Sequence, residues 1–139
     1  MAIRYPVTLT PAEEGGFIVT FPDLPGVTQG DTREEALNAA QDCLVVAITS
    51  MIHAGADVPT PSTGTDTVTL PEDVALKLLF YRAFCASGIT RTELGRRLGW
   101  HGPQVRRLFD ADHRTRLDHL FRAFQAIGKR VTFSLEDTA

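Results

Sequence analysis

The sequence predicts an α+β protein in two modules: a small antiparallel sheet packed on one helix, then an all-helical module that ends in a strand. Three observations carry this expectation. Apolar and polar residues alternate through the first stretch of the chain, the pattern of half-buried strands. A capped, amphipathic helical segment follows it. Charge then divides along the chain. Residues 1–70 hold two basic side chains (Arg4, Arg33) and nine acidic ones, a net of −7, whereas residues 71–139 hold twelve basic and eight acidic, a net of +4. Opposite signs in the two halves suggest two modules with different partners, the basic one suited to nucleic acid.

The elements follow in order. Across Ile3–Thr10, residues Ile3, Tyr5, Val7 and Leu9 share one face, so this is a strand. Pro11–Gly16 is a turn, and Gly16–Phe21 is a second strand that closes an antiparallel hairpin. Pro22–Gly26 contains two prolines and cannot be a central strand. Val27–Gly30 is a short third strand. Thr32 then starts a helix, because Thr32-Arg33-Glu34-Glu35 has the form of a capping box. Leu37, Ala40, Leu44, Ala47, Ile48, Met51 and Ile52 give that helix a wide apolar face, and Gly55 ends it. The first module is thus assigned to residues 1–56, extending to about 70. Asp57–Thr67, rich in Pro, Thr, Ser and Gly, reads as a linker. The second module occupies 68–139, with a short strand at Val68–Leu70 and a helix opened by Pro71. Val74, Leu78, Tyr81, Phe84 and Cys85 mark the buried face of that helix.

Thr90–Leu108, TRTELGRRLGWHGPQVRRL, is the most informative stretch. It reads as two short helices joined at Gly99. Leu94 and Leu98 lie on one helical face, Val105 and Leu108 on another, and Gly95 is small where the helices would cross. Pro103 suits the first turn of the second helix. This is the layout of a helix-turn-helix, whose second helix enters the DNA major groove. A plain helical hairpin has the same pattern. The surrounding charge favours DNA, since residues 89–130 carry ten basic and four acidic side chains, a net of +6. With Val105 and Leu108 inward, Gln104, Arg106 and Arg107 are the exposed base-reading candidates, with His101 near the cap. Arg91 and Arg114 are placed to hold phosphates. Trp100 is bulky for such a turn.

A last helix over Thr115–Ile127 precedes Gly128, and Lys129–Leu135 alternates as a strand. Val131, Phe133 and Leu135 form its apolar face. An unpaired apolar edge invites pairing with a second subunit, so the expectation is a homodimer, or a tetramer built from it. Pairing with the N-terminal sheet of the same chain is the alternative.

Cys43 and Cys85 have no metal or redox spacing, and the four histidines are too scattered for a zinc site. No cofactor or metal is expected. There is no signal-peptide pattern and no membrane span, which predicts a cytoplasmic protein with no membrane partner.

A family likeness rests on Tyr5-Pro6-Val7-Thr8-Leu9-Thr10-Pro11, Glu14-Gly15-Gly16-Phe17, Phe21-Pro22-Asp23-Leu24-Pro25-Gly26, Thr28-Gln29-Gly30-Asp31-Thr32 and Glu35-Ala36. Together they resemble the N-terminal signature of HicB antitoxins, and the downstream segment resembles the subgroup with a C-terminal helix-turn-helix. The resemblance implies an N-terminal domain of reduced RNase H-like fold that neutralises HicA, a small toxin that cleaves mRNA. It implies a C-terminal domain that dimerises and represses the operon by binding operator DNA. Asp23, Leu24 and Asp31 are the candidate toxin contacts, and an acidic module facing a basic RNA-binding toxin is electrostatically apt. Two other readings stay open on the residues alone. One is a stand-alone helix-turn-helix regulator with a non-toxin protein or ligand partner. The other is a metal-dependent nuclease, which would need clustered carboxylates. Glu35 already has a capping role and loop aspartates are common turn formers, so no enzyme is expected.

Overall fold

A computed structural model describes residues 2–110 and 113–138. The chain forms two compact units, Ala2–Ala75 and Leu76–Ala139, apart from Met1. In the first, the stretch expected as one strand is two: β1 (Arg4–Pro6) and β2 (Thr8–Pro11). They serve different sheets. β1 pairs antiparallel with β5 (Thr67–Thr69), Tyr5 opposite Val68. β2 pairs antiparallel with β3 (Phe17–Thr20), which pairs antiparallel with β4 (Val27–Gly30). The break falls where Pro6 has no N–H to offer a ladder. The next amide, Val7 N–H, donates to the Asp66 carbonyl oxygen at 2.9 Å.

The long helix α1 (Arg33–Ala54) is capped by Thr32, whose hydroxyl oxygen accepts from the Glu35 N–H at 3.1 Å. Only this half of the expected capping box forms. Ala36, Ala40, Leu44, Ile48 and Ile52 are buried, one residue per turn along a single stripe. Full burial of a side chain such as Leu44 or Ile48 contributes roughly 1.5–3 kcal/mol. Gly30 lets the helix start directly on the end of β4: a Cβ there would lie 2.3 Å from the Ala36 nitrogen.

Residues 57–67, expected as a linker, belong to the first unit. The Tyr5 hydroxyl donates to the Pro59 carbonyl oxygen at 2.7 Å. The Ser62 N–H and hydroxyl both donate to the Asp23 carboxylate, at 2.8 and 2.9 Å. Arg33 pairs with Asp66. The units divide at Ala75/Leu76 instead, within α2 (Glu72–Ser87).

The second unit is helical. α3 (Arg91–Leu98) and α4 (Gly102–Arg107) are joined by the short turn Gly99–His101. Thr90 caps α3, accepting from the Glu93 N–H at 3.1 Å, and Gly99 ends it with φ of 70°. The left-handed conformation at Gly99 is one that a side chain disfavours. α5 (Leu117–Ala126) follows. The core gathers Leu78, Phe80 and Tyr81 from α2, Leu94 and Leu98 from α3, Val105, Leu108 and Phe109 around α4, and Leu120, Ala123 and Phe124 from α5. Phe80 is its centre, with ring centroids of Phe84, Phe109 and Phe124 at 6.2, 5.8 and 5.4 Å. Cys85, assigned to the buried face of α2, is exposed.

The expected C-terminal strand does not form. Residues 129–138 are irregular, Phe133 and Leu135 are 79% and 102% exposed, and Val131 is half-buried. The alternation of Val131, Phe133 and Leu135 gives a strand face, but a strand also needs a ladder partner. No described segment of this chain supplies one. The Phe133 ring instead rests edge-on against Phe121, 5.7 Å between centroids.

Candidate nucleic-acid interface

α4 projects the cluster of residues singled out from the sequence. Its burial is set by Val105, 3% exposed, while Gln104, Arg106 and Arg107 are exposed. The crossing of α3 and α4 is close because Gly95 lacks a side chain: a Cβ there would meet the Trp100 carbonyl oxygen at 3.1 Å and Val105 Cγ2 at 3.2 Å. Pro103 sits in the first turn of α4, as its fixed φ favours. The Gln104 side-chain oxygen accepts from the His101 N–H at 2.9 Å. It therefore caps the helix, and bidentate pairing with adenine would require it to leave that bond.

Clefts lie on both sides of α4. One, of about 390 Å³, is lined by Arg91, Thr92, Gly95, Trp100, Val105 and Arg106, among others. The Arg91 guanidinium lies over the Phe109 ring, 4.1 Å from its centroid, which fixes the direction of the arginine without neutralising it. The other, of about 230 Å³, is lined by Trp100, Arg107, His113, Arg114, Thr115 and His119, among others. Arg106 and Arg107 are neighbours in sequence and so project about 100° apart around the helix, one into each cleft. Among the described residues, Arg91, Arg106, Arg107 and Arg114 have no carboxylate partner. Trp100 packs on His119, 5.4 Å between ring centroids, with the Arg122 guanidinium 5.6 Å from the indole.

Other arginines of the same window are already engaged. Glu93 accepts from Arg96 at 2.6 Å and from Arg97 at 3.0 Å. Arg97 also donates to the Ala126 carbonyl oxygen, and Arg116 pairs with Asp118. The hydrogen bonds from Arg96 and then Arg97 lower the Glu93 carboxyl from 4.5 to about 2. A carboxyl depressed on folding contributes stability above its unfolded pKa. That contribution is lost as pH falls through the folded value. For Glu93 the window runs from 4.5 down to about 2. An NMR titration of the Glu93 side chain should therefore find it still largely ionised at about pH 3.5, where an unpaired glutamate is mostly protonated. A midpoint near the ordinary glutamate value would contradict the paired geometry.

The first unit presents a different surface. Asp31 is exposed, as are Glu34 and Glu35 at the start of α1. Asp23 is occupied by Ser62, and Leu24 is only 6% exposed, so its side chain belongs to the core. Among the described residues no group of three or more His, Cys, Asp or Glu is placed to hold a metal ion, and no helix is long and apolar enough to cross a membrane.

Comparison with known proteins bears on both units. Residues 4–79 match the family described as the HicB-like antitoxin of bacterial toxin–antitoxin systems. The chain is 45% identical over 136 residues to Antitoxin HicB 1 of Photorhabdus laumondii, covering 96% of this chain and 88% of that protein. It is 41% identical over 134 residues to Antitoxin HicB of Escherichia coli K12, covering 94% and 97%. It is 34% identical over 129 residues to Antitoxin HicB of Pseudomonas fluorescens, covering 89% and 88%. The family match over more than half of the chain and the relatives that cover most of it agree, and the chain belongs to the HicB-like antitoxin family of bacterial toxin–antitoxin systems.

Proposed function

We propose that this protein is an antitoxin that binds and inhibits a HicA-like, mRNA-cleaving toxin through the acidic unit and represses its own operon through the basic one. α3 and α4 act as a helix-turn-helix, with α4 in the major groove of operator DNA. The observation that carries this reading is the pair of arginine-lined clefts on either side of α4. A helix lying in a major groove has a phosphate backbone on each side, and four guanidinium groups stand there that have no carboxylate partner among the described residues. Arg106 and Arg107 read base edges or hold phosphates, Arg91 and Arg114 hold phosphates, and His101 with Gln104 sets the helix start.

The toxin-facing surface is the exposed acidic rim of the first unit: Asp31 with Glu34 and Glu35. In the same unit Asp23 is half-buried and accepts from Ser62, and Leu24 is buried. An acidic surface opposite an RNA-binding protein raises the association rate and competes with the RNA backbone.

The DNA half of the reading is tested by the affinity of the full chain for the region upstream of its own gene and for a scrambled duplex, at physiological salt. The expected result is tighter binding to the upstream region by roughly 10³-fold or more. Equal affinity would contradict it.

The basic unit works as a homodimer on a two-fold operator, with the segment around Val131, Phe133 and Leu135 completed as a strand by the same segment of a second subunit. Two exposed apolar side chains in an unladdered segment support this. Val131→Lys together with Phe133→Lys should leave a folded protein that sediments mainly as monomer and binds the operator poorly. An intact dimer in that variant would remove the strand from the interface.

A further inference from the structure

The connection between α4 and α5 carries Arg114 and lines the groove on the Arg107 side of α4. A lysine from α2 holds it in place. The half-buried Lys77 ammonium donates to the Asp110 carbonyl oxygen at 2.7 Å and to the His113 carbonyl oxygen. One charged group thus ties two points of a connection whose described residues belong to no helix or strand. Between them runs a further bond, from the His113 N–H to the Asp110 carbonyl oxygen at 3.3 Å. The same stretch is tied back to α4 by the Asp110 N–H, which donates to the Arg107 carbonyl oxygen, and by the Thr115 hydroxyl at 3.4 Å from that oxygen.

These bonds decide where two arginines stand. Arg107 is the last residue of α4, and Arg114 immediately follows the carbonyl that Lys77 holds. Both line the groove, together with Trp100 and His119. Arg116, which also lines it, is paired with Asp118. Among the described residues, the groove therefore offers two guanidinium groups without a carboxylate partner, Arg107 and Arg114. A guanidinium fork recognises phosphate well only when its base is held in register, because a mobile backbone loses that register.

We infer that Lys77 is a positioning residue for DNA binding: by holding the Asp110 and His113 carbonyls it fixes the α4–α5 connection so that Arg107 and Arg114 grip one backbone phosphate in the groove they line. The inference rests on the DNA-binding reading of α3–α4. Lys77 itself touches no DNA. Its effect on affinity passes through Arg114 and Arg107, and it is independent of base sequence because the ligand is a phosphate.

The test uses the full chain, with operator and scrambled duplexes titrated over a salt series. Lys77→Met keeps the aliphatic stem and removes the donors. It should weaken binding to both duplexes by about tenfold, leave their ratio unchanged, and reduce the salt slope by about 1, the signature of one lost phosphate contact. Arg114→Ala should give a similar loss alone and little more when added to Lys77→Met, because both act on the same contact. Lys77→Arg, which can donate to both carbonyls, should restore affinity and slope. A Lys77→Met protein with wild-type affinity and slope would overturn the inference, as would losses from the two substitutions that multiply independently.

A second measurement needs no variant. Trp100 is the only tryptophan of the chain and lines the clefts on both sides of α4, so its fluorescence is expected to report DNA bound along that helix. If Lys77→Met fails to fold, Arg114→Ala carries the test: wild-type affinity and salt slope in that variant would overturn the inference. Wild-type protein that prefers no DNA would overturn both the inference and the reading beneath it. Specific binding by wild type with no response at Lys77 would overturn the inference alone.

Discussion

Alanine at both Arg106 and Arg107 is expected to abolish operator recognition while leaving the protein folded. Both side chains are exposed, and neither pairs with a carboxylate among the described residues. The helix that carries them is held by Val105, by the Gly95 crossing and by the Gln104–His101 bond, none of which the double substitution touches. Each arginine that reads a base contributes roughly 1–3 kcal/mol. Losing two removes roughly 2–6 kcal/mol, at least about thirtyfold in affinity. Anisotropy titration with operator and scrambled DNA measures this directly. The difference between the two duplexes should shrink if the arginines read bases, and the salt slope should flatten if they hold phosphates. Wild-type affinity in the double variant would remove α4 from the interface.

The second large effect concerns stability. Phe80→Ala should lower the stability of the helical unit by about 3–5 kcal/mol. The Phe80 side chain is fully buried and its ring meets Phe84, Phe109 and Phe124. It joins α2 to the end of α4 and to α5, so the cavity left behind cannot be filled by one neighbour. Small domains are stable by only about 5–15 kcal/mol in all. A unit of this size loses roughly 4–8 °C in melting temperature per kcal/mol, so the shift should be conspicuous in a thermal melt. A loss below about 1 kcal/mol would show that the aromatic cluster is not the core of the unit.

Local chemistry explains which parts of this architecture are legible in the sequence. Thr32, Gly55, Gly99 and Pro103 act within a turn or two of themselves, and each stands where its residue type predicts a cap, a stop or a start. The apolar stripe of α1 and the pairing of β2 with β3 follow from periodicities of 3.6 and 2. The illegible parts depend on partners distant in sequence. Asp57–Thr67 looks like solvated linker because its own residues bury little. The groups that anchor it, Tyr5, Asp23 and Arg33, come from elsewhere in the chain. The splitting of Ile3–Thr10 into β1 and β2 depends on β5, some sixty residues away.

The same distinction governs the candidate site. The exposed positions of α4 follow from Val105 and Leu108 facing inward, both of which are buried. The arginine count of the window misleads, because Glu93 takes up Arg96 and Arg97 in a three-residue cluster. That pairing is readable at spacings of three and four along one helix. Arg91 on the Phe109 ring and Lys77 beneath the α4–α5 connection are not, since each joins separate elements. Leu24 lies within a recognisable motif, and its burial is not readable from that motif alone.

The central claim is that toxin neutralisation and operator binding belong to different units of one chain. The most direct test is a titration of the toxin's RNA-cleaving activity with the full-length Arg106→Ala, Arg107→Ala protein. Inhibition should reach the same endpoint and potency as with wild type, from a protein that no longer binds the operator. Loss of inhibition by this variant, with its fold intact by circular dichroism, would contradict the division and place α4 in the toxin interface.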